Sequence, residues 1–223
     1  MSKRIVLHPD IRRRQLLDAA VRIFAKKGYS AASVADIIAA TGVARGTFYF
    51  YFPGKKEIFL AVVDDYRARL ESLIKTLSES EPEISAENYR ERLQKNLRRW
   101  LEFFVCHREA TKVMLREANL IDSEFERKRS KIREIARGYL VKRFRWLQNA
   151  RLLRADLSPE VLGLFVMGML DEVVATYILP NKKPDLDWIV EQWVEFEWHG
   201  LQPRSEGGSE HRSRRGRRRR RCG

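Results

Sequence analysis

The chain predicts an all-α protein of about nine helices: a three-helix unit at the N-terminal end followed by a helical bundle. Three observations carry this. Apolar residues recur at helical spacing along nearly the whole length, as in the stripe Ile58, Phe59, Val62, Val63, Tyr66, Leu70, Leu73, Ile74, Leu77. No segment alternates apolar and polar residues over a useful strand length. The prolines at 9, 53, 82, 159, 180, 184 and 203 all fall where a helix can begin or where none is expected, so helix interiors stay clean.

Taken in order, the first helix spans 9–27, with Leu16, Leu17, Ala20, Ile23 and Phe24 on one face. Two short helices follow, 34–40 and 45–51, the first opened by a weak capping box of Ser33 and Asp36. The long stripe gives 54–78. Leu93, Leu97, Trp100, Leu101 and Phe104 give 86–105, and a shorter piece covers 108–119. Ser123 with Glu126 is a capping box for 124–149, where Ile132, Ile135, Ala136, Tyr139 and Leu140 share a face. Ser158 before Pro159 opens 159–179 as N-cap and first helical residue. Trp188, Ile189, Trp193 and Phe196 mark the last helix, 186–200.

At 223 residues and 44% hydrophobic content, such a bundle fills a core without cross-links. Cys106 and Cys222 have no CxxC or CxxH spacing, and His8, His107, His199 and His211 form no ligand-spaced set, so no disulfide framework, metal or cofactor is expected. The first residues lack the apolar stretch of a secretion signal, and the run Val161–Leu170 is too short to span a bilayer before Asp171 and Glu172 interrupt it. A cytoplasmic protein with no membrane partner is the expectation. Charge is uneven: residues 1–56 hold 11 Lys/Arg against 3 Asp/Glu, residues 57–201 hold 24 against 25, and residues 202–223 hold 9 against 2. The polyanion-seeking field therefore belongs to the ends. Without a glycine-rich phosphate loop, HExxH or GxSxG, catalysis is not indicated.

The stretch TGVARGTFYFYFPGKK, 41–56, carries the chemistry. Thr41-Gly42-Val43 between two short helices has the length and turn chemistry of a helix-turn-helix, with Gly42 able to adopt a left-handed conformation. Val34, Ile37, Ile38, Val43 and Phe48 supply an apolar wedge. Phe48 and Phe52 are four residues apart and face inward together. Tyr49 and Tyr51 offer hydroxyls to phosphate, Arg45 and Thr47 reach base edges or backbone, and Gly46 allows close approach to a duplex. Lys55 begins the next helix, where its charge and the helix dipole attract a phosphate.

The run from about Arg13 to Phe59 resembles the N-terminal DNA-binding domain of the tetracycline-repressor (TetR/AcrR) family, with Gly42, Thr47, Tyr49, Tyr51, Phe52 and Lys55 standing at that family's motif positions. The resemblance implies that Ser33, Arg45, Gly46, Thr47, Tyr49, Phe50, Tyr51 and Lys55 contact DNA. Phe50 stands where a polar residue is common, which replaces a hydrogen bond by an apolar contact with a thymine methyl. Lys56 stands where an acidic residue is common. The resemblance also implies a helical domain that binds a small-molecule effector and dimerises through its last two helices, here 159–179 and 186–200. Release from a palindromic operator then makes the chain a ligand-responsive homodimeric repressor.

The expected division is 1–53 for DNA binding, 54–201 for effector binding and dimerisation, and 202–223 as a disordered Arg-rich tail. Trp100, Phe104, Met114, Tyr139, Phe165 and Met169 are the candidate lining of a pocket for a hydrophobic or aromatic effector, against the plainer reading of the same residues as core. The polyarginine tail motivates the rival function, an architectural DNA-binding protein that answers to no small molecule; an adaptor recruiting a protein partner through the helical domain is a third.

Overall fold

The structure of the protein, a computed structural model, describes residues 8–79, 85, 87–116 and 123–202. Among these the chain forms nine α-helices: α1 Pro9–Lys27, α2 Val34–Thr41, α3 Arg45–Tyr51, α4 Lys55–Glu79, α5 Tyr89–Cys106, α6 Arg108–Arg116, α7 Ser123–Asn149, α8 Pro159–Val173 and α9 Leu186–Leu201. A π-helical turn, Val174–Ile178, extends α8. The described residues contain no strand. The Arg-rich tail from 203 onward lies outside them.

Local chemistry sets the first three helices. Pro9 occupies the first turn of α1, and Lys26 and Lys27 sit in its last turn, where cations suit the helix dipole. The box at α2 is stronger than its sequence suggested: the Ser33 hydroxyl accepts from the Asp36 amide at 3.1 Å and the Asp36 carboxylate accepts from the Ser33 amide at 2.9 Å. Gly42 ends α2 at φ 66°, a left-handed cap that a side chain would strain. At seven residues α3 is too short to persist alone. It is held by Phe48, fully buried, and Phe52, 3% exposed, with Val43 and Ile37 closing the wedge beside them.

α4 is the spine between the two parts of the molecule. Its first turns bury Ile58, Phe59, Val62 and Val63. Phe59 meets Phe24 of α1 edge-on at 5.1 Å and Phe125 of α7 at 5.2 Å. Asp64 accepts from Lys128 of α7 at 2.8 Å, and Asp65 from Arg14 of α1 at 2.6 Å and from Arg69 at 2.8 Å. Burial works against the Asp65 charge, yet the two guanidinium partners outweigh it and hold the carboxyl below its ordinary range. Further along, α7 packs on α8 and α5 on α9.

Most boundaries fall within one residue of the sequence expectation; two depart from it by more or in kind. α5 starts at Tyr89 rather than 86, because the Asn88 side chain accepts from the Ser85 amide at 2.7 Å and closes a turn there. The expected end of α6 at 119 lies outside the described residues. The final turn of the 159–179 helix is π rather than α: the Leu179 amide reaches back to the Val174 carbonyl at 2.9 Å, and Arg108 donates to the carbonyls of Ile178 and Leu179 at 2.6 and 2.8 Å. With that turn included, Pro159–Ile178 is 20 residues long with a mean hydropathy of 1.7 in its most apolar stretch, enough by length and composition to cross a bilayer, and 28% of that stretch is buried. Asp171 and Glu172 interrupt the apolar run after Leu170, and Val173, Val174, Ile178 and Leu179 resume it.

Candidate functional site

The outer face of α3 is built by what its inner face buries. With Phe48 and Phe52 committed to the core, helical geometry turns Arg45, Gly46, Tyr49 and Phe50 to solvent, Phe50 with 80% of its surface exposed. The Arg45 guanidinium lies 5.7 Å over the Tyr49 ring, and Phe50 meets Tyr51 edge-on at 5.0 Å. Thr47 and Tyr51 are half-buried at the flanks. A β-carbon placed on Gly46 would touch nothing within 4 Å, so internal packing does not demand glycine there. The bare backbone instead leaves room for a partner to come close.

Two expected contacts have a different task in this geometry. Ser33 is taken up by its cap: its hydroxyl also donates to Asp36 at 2.9 Å, and Lys27 pairs with the same carboxylate at 2.6 Å. Hydrogen bonds from Lys27 and then from Ser33 pull the Asp36 carboxyl down to about 2. The Lys55 ammonium, expected on a phosphate, donates to the carbonyls of Tyr29, Ser30 and Ala32 at 2.9, 3.4 and 3.0 Å and lies 4.4 Å over the Tyr29 ring. It ties the α1–α2 turn to the start of α4, because the turn leaves these carbonyls without helical partners. Lys56 pairs with Glu124 of α7 at 3.2 Å.

In the second part of the molecule a cavity of about 220 Å³ opens between α4, α5, α6, α7 and α8. Its walls are Tyr66 and Leu70, Trp100 and Phe104, Thr111, Met114 and Leu115, Ile132 and Ala136, and Met167, Leu170 and Val174; Arg129, Arg133 and Asp171 bring charge to it. Arg133 donates to Asp171 at 2.8 Å and Arg129 to Glu126 at 2.9 Å. The Tyr66 hydroxyl meets that of Thr111 at 3.3 Å, and burial pushes its pKa upward.

Of the expected lining, Trp100, Phe104 and Met114 are in place, the two rings stacked at 6.3 Å. Tyr139 lines a smaller adjoining space instead, 6.1 Å from Trp100. Phe165 and Met169 do not line either space. The register of α8 turns Met167 and Leu170 toward the cavity and sends Phe165 outward, 63% exposed. Tyr66, Leu70 and Thr111 were missed because an aromatic or aliphatic residue on a buried stripe has the same sequence signature whether it meets another side chain or an empty space.

The family description "Bacterial regulatory proteins, tetR family" matches residues 16–62, the segment holding α2, α3 and the start of α4. Over those residues the chain matches the DNA-binding segment of the tetR family. That segment is a helix-turn-helix of the kind found in bacterial regulatory proteins. Over 179 residues the chain is 27% identical to the fatty acid metabolism regulator protein of Bacillus subtilis, covering 77% of the chain and 86% of that relative. Its fold is that of the fatty acid degradation regulator FadR from Bacillus halodurans, at a TM-score of 0.72 and 22% identity over 86% of the chain and 97% of that protein. FadR from Bacillus subtilis in complex with stearoyl-CoA superposes at a TM-score of 0.68 and 23% identity over 85% of the chain and 99% of that protein.

Proposed function

We propose that the chain is a tetR-family regulator, a homodimeric repressor that a long-chain acyl thioester releases from a palindromic operator. The observation that carries the reading is that one helix serves both sites: α4 gives Tyr66 and Leu70 to the cavity, while its Asp65 accepts from Arg14 of α1 and its Lys55 donates to the turn before α2. A ligand that shifts α4 therefore acts on the placement of α3, and it favours whichever arrangement it binds more tightly.

The ligand class rests on three supports: walls that are mostly aliphatic and aromatic, two guanidinium groups one helical turn apart at Arg129 and Arg133 that suit an anionic head, and likeness to a fatty acid metabolism regulator. The dimer rests on the exposed large apolar side chains of the second part of the molecule, which among the described residues lie on α8 and α9: Val161, Leu164, Phe165, Trp188 and Phe196. Joining the same two helices of a second copy buries them. Asp171, paired with Arg133 midway along the apolar helix, favours that reading over a bilayer.

DNA contact is assigned to Arg45, Thr47, Tyr49, Phe50 and Tyr51 on or beside the outer face of α3, with Gly46 giving clearance. Ser33 and Lys55 position the unit. Residues 1–53 form the DNA-binding part, 54–201 the effector and dimer part, and the tail adds phosphate attraction. Fluorescence anisotropy on an operator selected from random duplexes tests this: stearoyl-CoA should lower the signal, and a selection that enriches no palindrome, or a complex indifferent to acyl-CoA thioesters of every length, overturns it.

A further inference from the structure

Next to the main cavity lies a smaller space of about 40 Å³ between α5, α7, α8 and α9; Trp100, Met167 and Leu170 stand in the wall the two share. Met167 is unbranched and repacks at low cost. The small space has polar walls that the main cavity does not share. Asn96 from α5, Arg143 from α7 and Glu197 from α9 line it, each 5% exposed.

Asn96 Nδ2 and Glu197 Oε2 are among the buried side-chain atoms here that lack a hydrogen-bond partner. Trp193 Nε1 donates to Glu197 Oε1 at 2.7 Å, which leaves Glu197 Oε2 unserved, and Asn96 Nδ2 is likewise buried without an acceptor. A buried amide donor and a buried carboxyl oxygen forfeit their hydration unless something inside the protein replaces it. The complement has to accept from one atom and satisfy the other. A hydroxyl does both, since its oxygen takes the Asn96 N–H while its hydrogen goes to Glu197 Oε2. Burial raises the Glu197 carboxyl, against the opposing pull of Arg143 and Trp193, and a hydroxyl also serves the protonated acid by accepting from it. A methyl end leaves both atoms bare.

We infer that the effector carries polar groups at both ends: an anionic head near Arg129 and Arg133, an apolar chain through the main cavity, and a hydroxyl at the far terminus received by Asn96 and Glu197. The inference rests on the effector reading of the main cavity and sharpens it from acyl thioesters in general to hydroxylated ones.

The test uses matched pairs of acyl-CoA thioesters, octanoyl to hexadecanoyl, with and without a terminal hydroxyl. Binding is read by quenching of tryptophan fluorescence, since Trp100 and Trp193 line the two spaces, and by release of operator DNA. Wild-type protein should bind the hydroxylated member of the best-fitting pair about tenfold more tightly, as two added hydrogen bonds imply. Asn96→Leu, close in volume, should cut that preference to about threefold or less. Equal binding of both members by wild-type protein overturns the hydroxyl site and leaves the effector reading standing, the two buried atoms then being served by solvent. Binding of neither member in any pair overturns the effector reading and the hydroxyl site with it. The wild-type comparison decides the matter even where the variant fails to fold.

Discussion

The helix-turn-helix head and the cavity of the second part are made in opposite ways. The head is written in one short stretch from Gly42 to Lys55, where the turn, the inward faces of Phe48 and Phe52 and the outward faces of Arg45, Tyr49 and Phe50 follow from position on a single helix. The cavity is assembled from five helices whose contributing residues lie as far apart in the chain as Tyr66 and Val174. A local device can be read from neighbours; a distributed one depends on how whole helices are rotated against each other.

The contrast is tested most severely within α3. Phe48→Ala should cost about 3–5 kcal/mol, because a fully buried ring is removed from a small wedge. Phe50→Ala should change stability by less than about 0.5 kcal/mol and relax base preference instead. Urea unfolding and a binding selection measure the two; equal stability losses would erase the inside-outside partition.

Next in size is the exposed face of the second part. Phe165→Glu should weaken self-association by about 2–4 kcal/mol, the effect of a charge set into an apolar interface centre. Sedimentation velocity reads it, and a variant that stays dimeric at low micromolar concentration moves the interface elsewhere.

Lys55 lies between the two regions. Lys55→Met strips three carbonyls of a charged donor, with an expected stability loss of about 1–3 kcal/mol. The salt dependence of DNA binding should stay nearly as steep as in wild type, whereas Arg45→Ala should lower the slope by about one if Arg45 meets a phosphate. A lysine variant that melts like wild type yet loses a unit of slope would mean that the ammonium leaves the turn for DNA.

The smallest effect is acid loss of the α2 cap. The folded Asp36 carboxyl lies at about 2, below its ordinary 3.8. Its contribution is therefore complete above the unfolded value and disappears as pH falls toward the folded one. Far-UV circular dichroism between those values should show the wild type losing helix stability that Asp36→Asn has already lost at neutral pH; parallel acid curves for the two would remove the cap from the account.

Much of the fold was legible because capping residues, prolines and apolar spacing act within a helical turn or two. Ser33 with Asp36 and Ser158 with Pro159 mark real helix starts. The π turn after Val173 was not legible, since the arginine that holds its carbonyls, Arg108, comes from another helix. Within the candidate site the exposed ring of Phe50 followed from its position, but the internal use of Lys55 did not. A lysine at a helix start reads as an anion site until the carbonyls of a distant turn are found around it.

The sequence by itself determined the helices, the left-handed turn at Gly42, the two faces of α3 and the basic character of the ends, because each depends on interactions between residues close along the chain. Only the tertiary structure decided that Met167 and Leu170 rather than Phe165 and Met169 face the cavity, that Tyr66 and Leu70 line it, and that Asn96 and Glu197 line the smaller space beside it. Periodicity fixes which residues share a helix face. The direction that face takes is set by packing against helices many residues away.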